Sequence, residues 1–423
     1  MKLRVYVLFL LFSQFSFAQN CDVDQINDLL QKQQYALVYS MADALKECGE
    51  VSDSDLEWAQ FQQAFCVLEL FNDEAQFLLE KYLDGYPNGS YRKEAFLSLA
   101  KLHFRNKEYD KVIAKLNNVD VYDLEFQEEA MYYFRLGYSY FSLHKYDQAK
   151  VAFFDLKSIQ FTYSELTTYC LSHMAYEEGN YATALQGFEQ LVSTPTLGVI
   201  SKYYITHIFY YQWRYQELLA FAKPLLEKSY NPKRDNELKR LIGDAYFAMG
   251  EYEQSIEYLE DYMSDDASSS LGRIEKYQLA LAYFELENFK KATDYFEDVL
   301  LDKDSLSQFA AHQLAQSYLN LDEKSLAINA FKYAASIDYD YSLKEDAAFN
   351  AVKLIYDEQT SYDNAIESIE QFLEDYPESI HLDYVQDLLI KAFTSTKDYQ
   401  SAIDKLSSLK SMTLPQQEAY QKL

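Results

Sequence analysis

A skeleton of small, aromatic and apolar positions recurs along this chain at steps of 34 to 37 residues, and no other feature restricts the fold so strongly. Its cleanest copy is LIGDAYFAMGEYEQSIEYLEDY, Leu241 to Tyr262. There Gly243 lets two helices approach, Tyr246 and Tyr252 fill the space between them, and Gly250 marks the turn. Ser255 is a second close-contact position, and Leu259 returns to the core. The small position comes back at Ala100, Gly137, Ser172, Thr206, Ala280 and Ala315, with weaker copies at Gln63, Val352 and Ile390. Ten such units cover about residues 57–410. A chain with this period stacks like units against their neighbours instead of collapsing around one centre.

Each unit reads as two helices. Nine residues after the small position comes a ring, as at Tyr109, Tyr146, Tyr181, Tyr215, Tyr252, Phe289 and Tyr399. Three later stands a second close-contact residue, mostly Ala (Ala75, Ala149, Ala184, Ala292, Ala327, Ala365, Ala402), and four later again an apolar one such as Phe153, Leu259 or Phe331. Steps of three and four lie on one helix face. With 10 Gly and 6 Pro the chain lacks the punctuation of a sheet protein, so an all-α fold is expected. Pro87, Pro195, Pro232 and Pro377 fall at junctions between units. Pro224 lies inside the second helix of the fifth unit, where a kink or a shortened helix is expected.

The units LGYSYFSLHKYDQAKVAFFDL (136–156) and IGDAYFAMGEYEQSIEYLEDY (242–262) resemble the tetratricopeptide repeat, and the likeness extends over most of the chain. The junctions YPNGSY and YPESIH resemble those of exported bacterial envelope members of that family. The resemblance implies a right-handed α-solenoid of antiparallel helix pairs, with a concave side lined by the positions three before, one after and four after the small residue. In the third to fifth units these are Phe134, Tyr138 and Phe141, then Tyr169, His173 and Tyr176, then Tyr203, His207 and Tyr210. All nine are aromatic or imidazole. They read either as a groove for a peptide or protein segment, with a glycan as the alternative ligand, or as rings packed sideways between neighbouring first helices; the second reading is the stronger for the last position of each set.

Composition narrows the partners. A formal charge of −29 opposes nucleic acid and anionic membrane surfaces, which need clustered Lys and Arg. Residues 1–18, MKLRVYVLFLLFSQFSFA, have the basic start, short apolar run and small-residue end of a signal peptide cleaved after Ala18, which predicts export to the periplasm or outer envelope. No later run approaches the ~20 apolar residues of a spanning helix. Residues 19–56 read as an N-terminal helical cap, 264–272 as a candidate hinge, and 411–423 as a polar tail. Cys21 and Cys48 bracket the cap's hairpin and are a candidate disulfide; Cys66 and Cys170 lie on helical stripes and read as small core residues. No phosphate-binding, metal-ligating or nucleophile-elbow spacing occurs, so no enzyme activity and no cofactor or metal is expected. His173 and His207 hold equivalent places, but two ligands leave a metal's sphere incomplete.

Overall fold

The computed structural model describes residues 23–48, 51–157, 164–229, 231–265, 272–358, 362–408 and 414–422. The expected signal peptide and its cleavage site, Cys21 of the candidate disulfide and the linker residues 266–271 lie outside these. The chain forms two compact parts, 1–201 and 202–423. Among the described residues the regular structure is helical, apart from a short 3-10 turn at Val121–Asp123, with no strand.

In the first part, α1 (Val23–Gln31) and α2 (Tyr35–Leu45) form a helical hairpin that closes on Trp58, Ala59 and Cys66 of the next helix through Ile26, Val38, Ala42 and Leu45. Four helix pairs follow: α3 (Asp53–Glu69) with α4 (Ala75–Gly85), α5 (Arg92–Arg105) with α6 (Tyr109–Leu116), α7 (Phe126–Ser142) with α8 (Tyr146–Lys157), and α9 (Ser164–Glu177) with α10 (Tyr181–Leu191). Most of α11 (Gly198–Tyr211) belongs to the second part, where it pairs with α12 (Tyr215–Lys228). Then come α13 (Pro232–Ala248) with α14 (Tyr252–Asp265), α15 (Arg273–Glu285) with α16 (Phe289–Glu297), α17 (Ser305–Asn320) with α18 (Lys324–Ala335), α19 (Tyr341–Glu358) with α20 (Tyr362–Asp375), and α21 (Leu382–Ser395) with α22 (Tyr399–Ser408). These are ten helix pairs. Each part is thus an α-solenoid of helix hairpins.

The repeated skeleton is the seam of every hairpin. All ten first positions, from Gln63 to Ile390, are buried, and so are all ten second positions, Val112, Leu218 and Ser255 among them. Close approach explains the glycines. A Cβ on Gly243 would stand 2.6 Å from Leu259 Cγ, and one on Gly137 the same distance from the Phe153 ring. Ser255 Oγ also donates to the Gly243 carbonyl at 2.9 Å.

A single device turns nine of the ten hairpins, the turn between α19 and α20 lying outside the described residues. Seven residues past the small position the backbone is left-handed, at Lys107, His144, Gly179, Trp213, Gly250, Glu287, Asp322 and Lys397, and at Phe71 one residue later in the first unit. The following amide reaches back five residues, as Glu108 N to the His103 carbonyl and Asn288 N to the Tyr283 carbonyl, both at 2.9 Å. This is the Schellman closure, with an apolar contact across it. The contact here is the ring that opens the second helix, 6.0 Å from the last first-helix ring in Phe141–Tyr146 and 5.4 Å in Phe284–Phe289.

Junctions between hairpins are tied by side chains from the preceding first helix. Glu57 accepts from Tyr82 Oη at 2.8 Å and from Ser90 N at 2.5 Å. Arg273 donates to the Val299 carbonyl and to both oxygens of Asp304. Buried Gln308 bonds the carbonyls of Ile337 and Asp340 and receives Asp340 N.

Pro224 does not shorten its helix: α12 runs past it to Lys228 and ends in a left-handed Ser229. The polar tail contains a further helix, α23 (Leu414–Lys422). Cys66 and Cys170 are free and buried as expected, and burial pushes both thiols up to about 12.

Candidate functional site

The nine aromatic and imidazole positions fall into two sets, described separately for the two parts of the chain. In the first part, Phe134, Tyr138 and Phe141 project from α7 and Tyr169, His173 and Tyr176 from α9. Within each helix the side chains four apart stack: Phe134 on Tyr138 and Tyr169 on His173, each with centroids 6.0 Å apart. Between helices the last position of one unit meets the middle position of the next. Phe104 of α5 lies 5.5 Å from Tyr138, and Phe141 meets His173 edge-on at 5.4 Å. The wall is therefore one interlocked stack. Phe134 is only 3% exposed and packs with Ala149, Phe153 and Met174, so it offers no surface to a ligand and leaves the groove set. The other five are half-buried, each with a rim in solvent.

The second part continues the pattern with more charge. Tyr203 and His207 of α11 stand 4.5 Å apart, and the Arg234 guanidinium lies over the Tyr203 ring. Tyr210 donates its hydroxyl to Asp244 Oδ2 at 3.0 Å. Asp244 also receives Arg240 Nη1 at 2.8 Å, while the rest of the Arg240 fork holds Glu237. Tyr210 and Asp244 occupy the same last-to-middle relation as Phe141 and His173, with a hydrogen bond replacing a ring contact. Arg240 and Asp244 stand at groove-facing positions of the sixth unit, and their charges make this the most ordered polar cluster along α11 and α13.

Burial sets the protonation of these groups. It pushes the Tyr210 hydroxyl up to about 12, with Asp244 beside it adding to the rise. It lowers both His173 and His207, against the opposing pull of Glu177 and Glu237 respectively. Both imidazoles are thus neutral near pH 7. His207 Nε2 is buried without a hydrogen-bond partner.

Two clefts bear on the same helices or lie apart from them. One of about 330 Å³ opens across the first helices α3, α5 and α7, between Phe61, Phe65, Leu97, Lys101, Glu128 and Arg135. Leu97 and Lys101 stand three before and one after Ala100, so they belong to the same register as the aromatic wall. Their register was available in the sequence, but an aliphatic and a lysine do not stand out beside a run of rings. The other cleft, of about 860 Å³, lies between α18, α19 and α20, where Ser325, Ala335, Ala348 and Ala351 leave room. None of the nine positions lines it. Among the described residues no cluster of three or more His, Cys, Asp or Glu is placed to hold a metal, and no helix is long and apolar enough to cross a membrane.

Hairpins of similar length, stacked through their first helices, define a repeat solenoid. Residues 241–264 and 276–301 match one description of the tetratricopeptide repeat and residues 346–379 match another. Those three stretches are tetratricopeptide repeats. Members of this family bind protein or peptide partners and generally serve as non-enzymatic scaffolds. Among curated proteins nothing matches the chain. Similar solved structures include the C-terminal part of a repeat-containing protein from Cytophaga hutchinsonii, at 18% identity over 64% of this chain and 98% of that one, with a TM-score of 0.39. YrrB, described as having an unusual peptide-binding site, shares 18% identity over 51% of this chain and 100% of its own, with a TM-score of 0.36. MamA of AMB-1 shares 16% over 41% and 98%, with a TM-score of 0.35.

Proposed function

We propose that this protein is an exported scaffold of the periplasm or cell envelope that binds a segment of another protein along its first helices. The observation that carries the reading is the state of the wall. Eight of the nine positions are half-buried, their rings fixed by neighbours on one side and open on the other. Such a surface is ordered before a partner arrives, so binding costs little conformational entropy. Tyr138, Tyr169 and Tyr176 offer ring rims, Tyr203 and Tyr210 carry the guanidinium groups of Arg234 and Arg240 over their rings, and the cleft across α3, α5 and α7 holds the same register with apolar and charged groups. The export signal in residues 1–18 supports the location, and oxidising conditions there favour the Cys21–Cys48 clasp.

Affinity capture from envelope extracts, with the wild type and a Tyr169→Ala/His173→Ala/Tyr203→Ala variant, tests the proposal. The variant is expected to lose the partners that the wild type retains, and that loss should deepen as salt rises, because charge attraction to an acidic scaffold is screened. Identical partners for both proteins would move the site away from the wall. Binding that resists salt and is competed by oligosaccharide would favour a glycan ligand.

A further inference from the structure

Three successive junctions of the second part carry apolar side chains into solvent at the same place. Leu301 precedes α17, Tyr339 and Tyr341 open α19, and Ile380 with Tyr384 open α21. Their exposures run from 44% for Tyr384 to 90% for Ile380, with Leu301 at 70% and Tyr339 at 68%. Because the hairpins are antiparallel, the starts of the first helices share one edge of the stack, away from the seam. Neighbouring packed helices stand roughly 8 to 10 Å apart, so the three junctions make a row of roughly 20 Å.

These side chains do not ride on loose loops. Arg273 holds the first junction through the Val299 carbonyl and Asp304. Gln308 holds the second through Ile337 and Asp340. At the third, His381 lies flat on the Phe349 ring with centroids 3.8 Å apart. Each loop is fixed by the first helix before it, and the apolar groups left outside are presented in fixed positions. An ordered apolar row of this kind marks a contact surface.

Charge decides the occupant. The junctions hold Asp298, Asp302, Asp304, Asp338, Asp340 and Glu378 against Lys303 alone. Arg273, Lys276 and Lys344 reach in from the helices and pair with Asp304, Asp302, Asp298 and Asp338, so that with Lys303 four cations stand against six carboxylates and the edge keeps a small acidic excess. A second copy of this chain, itself carrying −29, would be repelled. We propose that this edge is a second docking surface, distinct from the aromatic positions of α11 in the same part, and that it takes a short basic amphipathic helix of a partner. A helix of about 14 residues spans roughly 21 Å, the length of the row.

The probe is a labelled 14-residue helical peptide of Leu and Lys with Leu at helical spacing, followed by fluorescence anisotropy against the exported chain. A Leu301→Ser/Tyr339→Ser/Ile380→Ser variant and an Asp302→Asn/Asp338→Asn/Glu378→Gln variant should each weaken binding by about tenfold or more, as expected for loss of a contact core. All the replaced residues are exposed, so helix content and melting temperature serve as the check that both variants fold. Tyr169→Ala/Tyr203→Ala should bind the peptide as the wild type does. Equal binding by all the proteins would overturn the proposal. So would a loss confined to the charge variant, which would signal an ion atmosphere alone, or a wild-type dimer that the serine variant dissolves.

Discussion

His207 and Lys107 show what single residues contribute here. Burial lowers the His207 imidazole, so the unfolded chain takes up a proton at higher pH than the folded one. Stability from this residue is therefore complete above the ordinary histidine value of about 6.5 and declines as pH falls from there toward the lower folded value. Melting temperature measured from pH 8 to pH 5 should drop less for His207→Asn than for the wild type; parallel curves would show that the imidazole is not the sensor. Lys107 is held at φ 60, where an L side chain is strained. Lys107→Gly should therefore raise stability by about 0.5 to 1 kcal/mol after the entropy of glycine is subtracted, and urea midpoints check this. None of the turn residues except Gly179 and Gly250 advertised its conformation in the sequence. The left-handed site is imposed by the closure of the helix end, which accepts Lys, His, Trp, Glu or Asp at a modest cost.

At the scale of an element, the hairpin seam was the most legible feature. Its three columns are buried in all ten pairs because a step of three or four residues leaves no other face for them. Gly243→Leu places a branched side chain where Leu259 already stands and should cost roughly 3 kcal/mol, read as a lower melting temperature with helical content kept at low temperature. Gly250→Leu, at the exposed turn, should lose less. The tyrosines were harder to place. Many lie outside the groove and beside the three seam columns. Tyr283 stacks on Tyr295 at 5.8 Å and donates to Glu260, with Lys291 donating to its hydroxyl; Tyr246 stacks on Tyr258 and receives Lys223; Tyr318 donates to Glu297. A ring buries its face between helices while its hydroxyl finds a charged partner at the edge, and this depends on contacts between units that no single repeat displays.

For the whole molecule, the period located the pairs and the register located the wall. The interlock within that wall depended on which side chain meets which across neighbouring first helices, and spacing along one helix is silent on that. Phe134 illustrates the gap: its position marks it for the groove, yet the small residues around it draw it into the core. Partner binding along the first helices is the central claim. The most direct measurement is hydroxyl-radical footprinting by mass spectrometry of the chain with and without a captured partner. Tyr138, Tyr169, Tyr176, Tyr203 and Tyr210 should be protected, while Phe154 on the outer face of α8, 76% exposed, stays reactive. Protection of Phe154 and other second-helix residues, with those five tyrosines unchanged, would contradict the account.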